Sequence, residues 1–536
     1  MPAVHGHDRD GLSNEDIRGA FGTIQEHDVG ARIGARARLL TLLAIIGPGL
    51  IVTVGDNDAG GISTYAQAGQ DFGLTLLWTL MLCIPVLIVN QEMVARLGAV
   101  TGVGHARLIR ERFGRLWGAV AVTSSLTVNF LIIITEFIGV ALSLTYFGVS
   151  PYISVPIAGV GLLAIIATGS YRRWERIMFV FIVVSLLAIP LLVLTHPTAG
   201  SVVHGLFVPG AAGGFHPPAV LLTISIVGTT VAPWQLYFQQ SNIVDKKITT
   251  RWLNYERADT IIGAIFVIVT AVMIVAAVAA AVAGTAASGH YTDALGVARA
   301  LERYVSPTAG TLFAILLLNA SIIGAATVTL ASSYAIGDVS GLRQSLNARV
   351  RDAKGFYGMV AGLIVVAGAT VLATDPRIQG IITLAVQAAC GILLPATTVF
   401  ALLLCNDRDV LGPWANGRWQ NLVALVIVLA LFVLSATLMA TTVLPGTPVI
   451  PLLEALTVAA LVAFLAIAPQ LFRHHSERPA EDRYGDKFEW RTPRLTLLSR
   501  PPQTVGRRIL FTILGAYLAV SSVLLVIRVV RLVLAP

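Results

Sequence analysis

Apolar runs long enough to cross a bilayer recur along the whole chain, and no other feature constrains its fold as much. They lie at residues 43–66, 72–95, 116–146, 152–169, 176–195, 218–241, 259–284, 308–334, 356–374, 379–404, 420–442, 449–471 and 508–533. About 20 apolar residues in a helix cover the hydrocarbon core. Lipid offers the backbone no hydrogen bonds, so each run must satisfy its own. These thirteen runs therefore predict an all-α polytopic membrane protein. Composition agrees: 56% of residues are hydrophobic and 12% charged, against about 25% charged in a soluble domain.

The net charge of +8 suits nucleic acid only if it forms a continuous basic patch. Here Arg and Lys sit between apolar runs, so no nucleic-acid partner is expected. With the N-terminus cytoplasmic, the inward loops carry Arg107, Arg110, Arg112 and Arg115, then Arg172, Arg173 and Arg176, then Lys246, Lys247, Arg251 and Arg257. Residues 196–217 on the other side carry no Lys or Arg. This is the positive-inside pattern, broken only by Arg299, Arg303 and Arg377. It sets the expected organisation: a cytoplasmic tail (1–40) with one short amphipathic helix and no cleavable apolar core, a transport core (41–404), two further spans (405–472), a solvated cytoplasmic linker (473–507) and a last helix (508–536). Within the core, residues 41–195 form a first repeat and 218–404 a second. Cys83, Cys390 and Cys405 lie in apolar runs without disulfide or zinc spacing and read as buried small hydrophobes.

Two spans carry helix breakers at mid-membrane. The first contains Gly55-Asp56-Asn57-Asp58-Ala59-Gly60-Gly61, and the sixth Gly228-Thr229-Thr230-Val231-Ala232-Pro233-Trp234-Gln235. Pro233 removes a backbone donor; Gly55, Gly60 and Gly61 permit unwinding. The breaks are one five-helix unit apart, and five helices invert the direction of the chain. Paired broken helices at matching positions point to a transporter site between inverted repeats. An intramembrane carboxylate costs roughly 2.5–3.5 kcal/mol without a partner, and no Lys or His falls within the first twelve runs. A transported cation would supply the charge missing beside Asp58. Asp56 and Asn57 either cap the half-helix or add oxygens to the vestibule.

At these residues the chain resembles the NRAMP family of divalent-metal transporters over about residues 40–445. Gly47-Pro48-Gly49 opens the first span, and Asp58-Ala59-Gly60-Gly61 stands where the family has Asp-Pro-Gly-Asn. Ala95-Arg96-Leu97-Gly98-Ala99-Val100-Thr101-Gly102 closes the second span. Glu136-Phe137-Ile138-Gly139 resembles Glu-Val-Ile-Gly in the third, and Gln387 precedes Leu394-Pro395 in the tenth. The resemblance implies a LeuT-like five-plus-five inverted repeat with additional C-terminal transmembrane helices, alternating access, and a divalent metal ion as substrate.

The departures change the expected chemistry. The family's Met-Pro-His-Asn is Ala232-Pro233-Trp234-Gln235 here, its first-span Asn is Gly61, and its third-span Asp is Ile133. A soft thioether and an imidazole are gone, leaving hard oxygens and more room. Mg²⁺ keeps several waters because it dehydrates reluctantly. The pattern is most similar to the divergent NRAMP-related magnesium transporters. The expected site uses Asp58, the carbonyls of Gly55, Thr229 or Ala232, and Gln387, with Gly61 and Ala232 contributing space. Asp56, Asn57, Trp234, Gln235 and Glu136 line the pathway, although Glu136, Gln387 and Trp234 each also read as packing or interhelical hydrogen-bonding residues. Glu92 and Arg96 form an i,i+4 pair.

The expectation is a secondary transporter of Mg²⁺ and also Mn²⁺, run as an uncoupled uniporter with a partly hydrated ion. The ten histidines read as tail or loop residues, and neither Trp234 nor Ile133 titrates. A proton-coupled Mn²⁺/Fe²⁺ carrier, an organic-solute carrier and a non-transporting receptor are the alternatives. No enzyme motif occurs. No cofactor is expected, the partners being the metal ion and the lipid bilayer; no oligomeric state follows from the sequence, a monomer being compatible with it, and the expected location is the prokaryotic inner membrane.

Overall fold

The computed structural model describes residues 16–534 apart from residues 27, 29, 31, 343, 445, 474–486, 489, 499–500 and 502–504. The first span is three pieces: α1 (Ala35–Ile45), α2 (Pro48–Val54) and α3 (Ala59–Phe72). Then come α4 (Leu77–Thr101), a short α5 (His105–Phe113), α6 (Arg115–Tyr146) and α7 (Pro151–Ile166). The fifth span is α8 (Tyr171–Val184) continued into α9 (Ala188–Thr195), followed by α10 (Ala199–Phe207) in the connection. The sixth is again broken, into α11 (Pro217–Thr230) and α12 (Pro233–Lys246). The second repeat continues with α13 (Leu253–Val282), a connecting α14 (Ala294–Tyr304), α15 (Pro307–Ser340), α16 (Lys354–Ala373) and α17 (Pro376–Cys405). A short α18 (Arg408–Leu411) leads to α19 (Arg418–Val443), α20 (Val449–Arg473) and α21 (Val505–Leu534).

The packing has the symmetry of a five-plus-five inverted repeat. α2 and α3 pack on α13, as α11 and α12 pack on α4. α6 runs along α15, and α7 meets α16. Close approach is built from small residues: a Cβ on Gly49 would stand 2.8 Å from the Thr260 nitrogen, and one on Gly263 3.2 Å from the Gly49 carbonyl. Membrane interfaces rely on such contacts because lipid is as apolar as the side chains. α20 touches mainly α19 and leaves Val458, Leu461 and Leu465 exposed, as suits a helix facing lipid.

Among the described residues, ten helices are long and apolar enough to cross a membrane, or eleven if α1 and α2, bent by 55°, count as one. Thirteen were expected. Three runs make the difference: Gly47-Pro48 divides the first span once more than expected, and α7, with 16 residues, and the described apolar part of the last helix, Arg508–Leu524, are short.

Two other findings differ from expectation. Residues 17–24 of the tail form an unexpected antiparallel hairpin, β1 (Ile17–Arg18) with β2 (Thr23–Ile24), residues 35–40 begin α1, and residues 1–15 lie outside the described residues. Ile17, Ala20 and Ile24 are buried, so apolar burial rather than propensity decides this segment. Most of linker 473–507 lies outside the described residues. Its described part docks on the core instead of standing in solvent: the Trp414 indole donates to the Lys487 carbonyl (2.9 Å) and Thr492 Oγ1 to the Val410 carbonyl (2.8 Å). The last helix is anchored on α17 and α19, burying Leu514 and Leu518. The three cysteines are free and buried, and Arg96 meets Glu92 at 3.1 Å, with Arg257 on the other oxygen of Glu92.

Candidate metal centre

Each break has a local cause. After α2 the chain tightens, with the Asp56 and Asn57 amides donating three residues back to Thr53 and Val54. Asp58 then caps α3, its Oδ1 accepting the Gly61 amide at 2.6 Å. A short polar side chain at the N-cap satisfies an orphan donor of the new helix. In the sixth span Ala232 is extended (φ −86°, ψ 146°) and Pro233 opens α12. A residue before proline is pushed out of the helical region, and proline at the first helical position lacks a donor that would be orphaned anyway. The end of α11 thus leaves carbonyls outside the helical ladder.

Gly55, Gly60 and Gly61 act differently from expectation. None has a positive φ; they permit close approach rather than unwinding. A Cβ on Gly60 would overlap the Gln387 carboxamide. A Cβ on Gly61 would stand 2.9 Å from the Asp56 carbonyl and 3.4 Å from both Asp58 Oδ1 and Thr229 Oγ1. Three oxygens from the two breaks therefore surround one point, so in this conformation Gly61 gives proximity rather than a wide cavity. Gly55 faces Thr327 of α15, whose Oγ1 a Cβ would meet at 2.9 Å.

Glu136 of α6 reaches the same place. Its Oε2 accepts the Ala59 amide at 3.1 Å. A Cβ on Gly324 of α15 would lie 2.5 Å from that oxygen and 2.8 Å from Asp58 Cβ. Asp58 and Glu136 thus converge across the Gly324 backbone. Asp56 turns the other way, towards the Ala232 backbone and the Gln235 side chain. Asn57 donates to the Val267 carbonyl (3.1 Å), tying the break to α13. Trp234 is buried against Phe238, with ring centroids 6.0 Å apart. The Ala232 carbonyl takes the Gln235 amide at 3.3 Å.

Buried polar atoms without hydrogen-bond partners gather here: both Asp56 oxygens, Asn57 Oδ1, Glu136 Oε1, Thr229 Oγ1, and the amide nitrogens of Gln235 and Gln387. Native interiors seldom tolerate this outside functional sites. Among the described residues no group of three His, Cys, Asp or Glu side chains could hold a metal, so any ion here depends on one or two carboxylates with carbonyl, hydroxyl and amide oxygens.

Sequence reasoning missed a second buried polar cluster. Lys246, taken for a loop residue, ends α12 and is buried; its ammonium reaches Glu175 Oε1 (2.6 Å) and the carbonyls of Ile45 (2.6 Å) and Ile46 (3.0 Å). Asp259 accepts the amides of Gly47, Gly49 and Leu50, capping α2 from another span. Periodicity could have found Glu175, which shares the buried face of α8 with Tyr171, Met178 and Ile182. His105, also taken for a loop residue, is fully buried, with Nδ1 2.9 Å from Gln240 Oε1. Burial pushes its pKa down to about 4. Tyr65 of α3 and Thr230 of α11 join the two broken spans through a 2.9 Å hydroxyl contact.

The divalent metal cation transporter MntH of Levilactobacillus brevis is 26% identical over 423 residues, covering 75% of this chain and 90% of its own. That of Xylella fastidiosa is 28% identical over 424 residues, covering 74% and 85%. A solved manganese transporter of Eremococcus coleocola shares the fold with a TM-score of 0.62 at 20% identity, over 83% of this chain and 98% of its own. The model of the natural resistance-associated macrophage protein-like (Nramp) family matches residues 49–441, and with most of its length inside that match the chain belongs to the Nramp family.

Proposed function

We propose that the chain carries divalent metal cations across the membrane by alternating access, with Mg²⁺ and Mn²⁺ as substrates. The observation that carries this reading is that two helix breaks face each other with hard oxygens between them. Asp58, the Asp56 carbonyl and Thr229 Oγ1 surround one point. The Gln387 carboxamide lies against Gly60 and can present oxygen in place of nitrogen, since the two are assigned by hydrogen bonding. Where the family has its thioether and imidazole stand Ala232 and Trp234. Such a set favours octahedral, oxygen-preferring ions, and Mg²⁺ retains part of its water shell. The relatives' names specify divalent metals, and for the solved neighbour manganese, in keeping with Mn²⁺ as a second substrate. The basic loops support a cytoplasmic N-terminus.

Uniport is the coupling mode we favour, because Ile133 and Trp234 cannot carry protons. The proton-coupled alternative draws support from the convergence of Asp58 and Glu136 at Gly324. Proteoliposomes holding a pH dye, given Mg²⁺ or Mn²⁺ outside under an inward-negative potential, separate the two. Metal entry with a flat pH trace is expected. Metal-dependent acidification above the leak of protein-free vesicles would establish coupling, and failure of both ions to enter would overturn the substrate assignment.

A further inference from the structure

The buried carboxylates of the described residues differ in how they are satisfied. Asp58 holds the Gly61 amide, Glu136 the Ala59 amide, and Asp259 three amides of the first span. Glu175 holds Lys246, and Asp338 takes the Gln344 amide nitrogen; Glu256 takes the Gln239 side chain at 3.4 Å. Asp56 is fully buried, and it alone has both oxygens without a hydrogen bond. A carboxylate kept for structure would be expected to have donors. The nearest donors, the Ala232 backbone amide and the Gln235 carboxamide, approach Asp56 but stop short of full hydrogen-bond geometry. Both carboxylates of the first break thus face the second, Asp58 beside Thr229 and Asp56 beside Ala232 and Gln235. Thr229 Oγ1 and Gln235 Nε2 of the second break are also buried and without partners.

We propose that Asp56 is a second acidic ligand of the transported ion, so that a divalent cation sits between the two breaks with one carboxylate on each flank, Asp56 and Asp58. This rests on the metal-transport reading and deepens it. Two carboxylates match the charge of a divalent ion, and the free oxygens of Asp56 accept hydrogen bonds from its bound waters as readily as they bind the ion directly. Retained water is what a Mg²⁺ site must accommodate. The arrangement also predicts strong binding of trivalent cations of similar hardness.

Mn²⁺ and La³⁺ binding to the purified full-length protein, alongside Mg²⁺ uptake into proteoliposomes, tests the proposal. Asp56→Asn should weaken Mn²⁺ binding and Mg²⁺ half-saturation at least tenfold. Coulomb attraction scales with ion charge, so a tenfold loss for a divalent ion corresponds to about thirtyfold for La³⁺. A merely structural role would move both ions by the same factor. Asp56→Cys supplies a softer donor and should raise the ratio of Cd²⁺ to Mg²⁺ affinity at least tenfold, a gain that misfolding cannot mimic. Half-saturation within twofold of the parent, equal losses for Mn²⁺ and La³⁺, or an unchanged Cd²⁺ ratio would overturn the assignment. Wild-type protein that binds no Mn²⁺ would overturn it too, whereas binding without uptake would overturn only the transport reading.

Discussion

Glu175→Gln isolates the buried ion pair that fixes the bend of the first span. Lys246 and Glu175 have no exposed side-chain surface. The ammonium spends its three protons on Glu175 Oε1, the Ile45 carbonyl and the Ile46 carbonyl. Glu175 Oε2 accepts the Ala20 amide at 2.5 Å, so one carboxylate links α8, α12 and the N-terminal hairpin. Neutralising it leaves a buried ammonium on two carbonyls. Breaking a buried pair by removing one partner costs about 3–5 kcal/mol. Two charge-assisted hydrogen bonds at about 1.5–3 kcal/mol each give the same order. Removing both charges, in Glu175→Gln with Lys246→Met, deletes the stranded ion and should recover about 2 kcal/mol of that loss. Unfolding in mixed micelles can be followed by tryptophan fluorescence, with the buried Trp174 beside Glu175 as reporter. A single-variant loss below about 1 kcal/mol, or a double variant no better than the sum of the singles, would refute the claim that the pair is desolvated and coupled.

Other outcomes follow from the site and its surroundings. Asp58→Ala should abolish saturable metal uptake while the protein stays folded; uptake with unchanged half-saturation would remove Asp58 from the ligand set. Ala232→Met should shift competition towards Mn²⁺, Fe²⁺ and Cd²⁺ and away from Mg²⁺, with an unchanged Mg²⁺ preference counting against a local ligand effect. Adding Gly61→Asn brings a Cβ within 2.9 Å of the Asp56 carbonyl, so the pair should lose stability relative to Ala232→Met alone, as paired melts would reveal. His105 is neutral when folded, and its Nε2 has no partner. With a folded pKa of about 4 against 6.5 unfolded, the unfolded chain binds more protons between those values, so acidification destabilises the fold by up to about 3 kcal/mol. His105→Gln should flatten stability between pH 6.5 and 4; an identical pH slope in the variant would show that other groups set it.

The two breaks were legible because carboxylates, glycines and a proline stand out in apolar runs, and the motifs around Asp58, Glu136 and Gln387 carried the family. The role of the glycines was not legible, since close approach depends on which helix lies opposite. Gly60 is required by a carboxamide 327 positions along the chain, a relation present only after α17 packs on α3. The Lys246 cluster was obscured for a related reason. Lys246 and Glu175 each sit in a basic stretch that reads as solvated loop, and only tertiary packing pairs them. The N-terminal hairpin buries a few apolar residues in a polar segment, too short a pattern to show periodicity.

The two polar clusters also bear on which part of the first span can move. At its N-terminus α2 is held by Asp259, which occupies three amides and opposes the positive end of the helix. Beside that end, Lys246 grips the last carbonyls before the bend. Along its length α2 meets α13 through Gly49 and Gly263, which allow backbone contact and leave little slack. α2 and α13 should therefore move as one body. Beyond Val54 the restraints change character: the turn from Gly55 to Asp58 is kept by two three-residue hydrogen bonds, an N-cap and one side-chain tie to α13 from Asn57, and it adjoins the polar atoms that lack partners. On the proposed reading, an ion at this turn would add the bonds that the turn itself lacks and remove them on leaving. Rearrangement between access states then belongs at residues 55–58, with α3 shifting against α6 and α17. Spin labels on α2 and α13 should keep a constant distance when Mn²⁺ is added, while a pair on α2 and α3 changes. A changing α2–α13 distance would mean that the paired cluster, rather than the break, is the hinge.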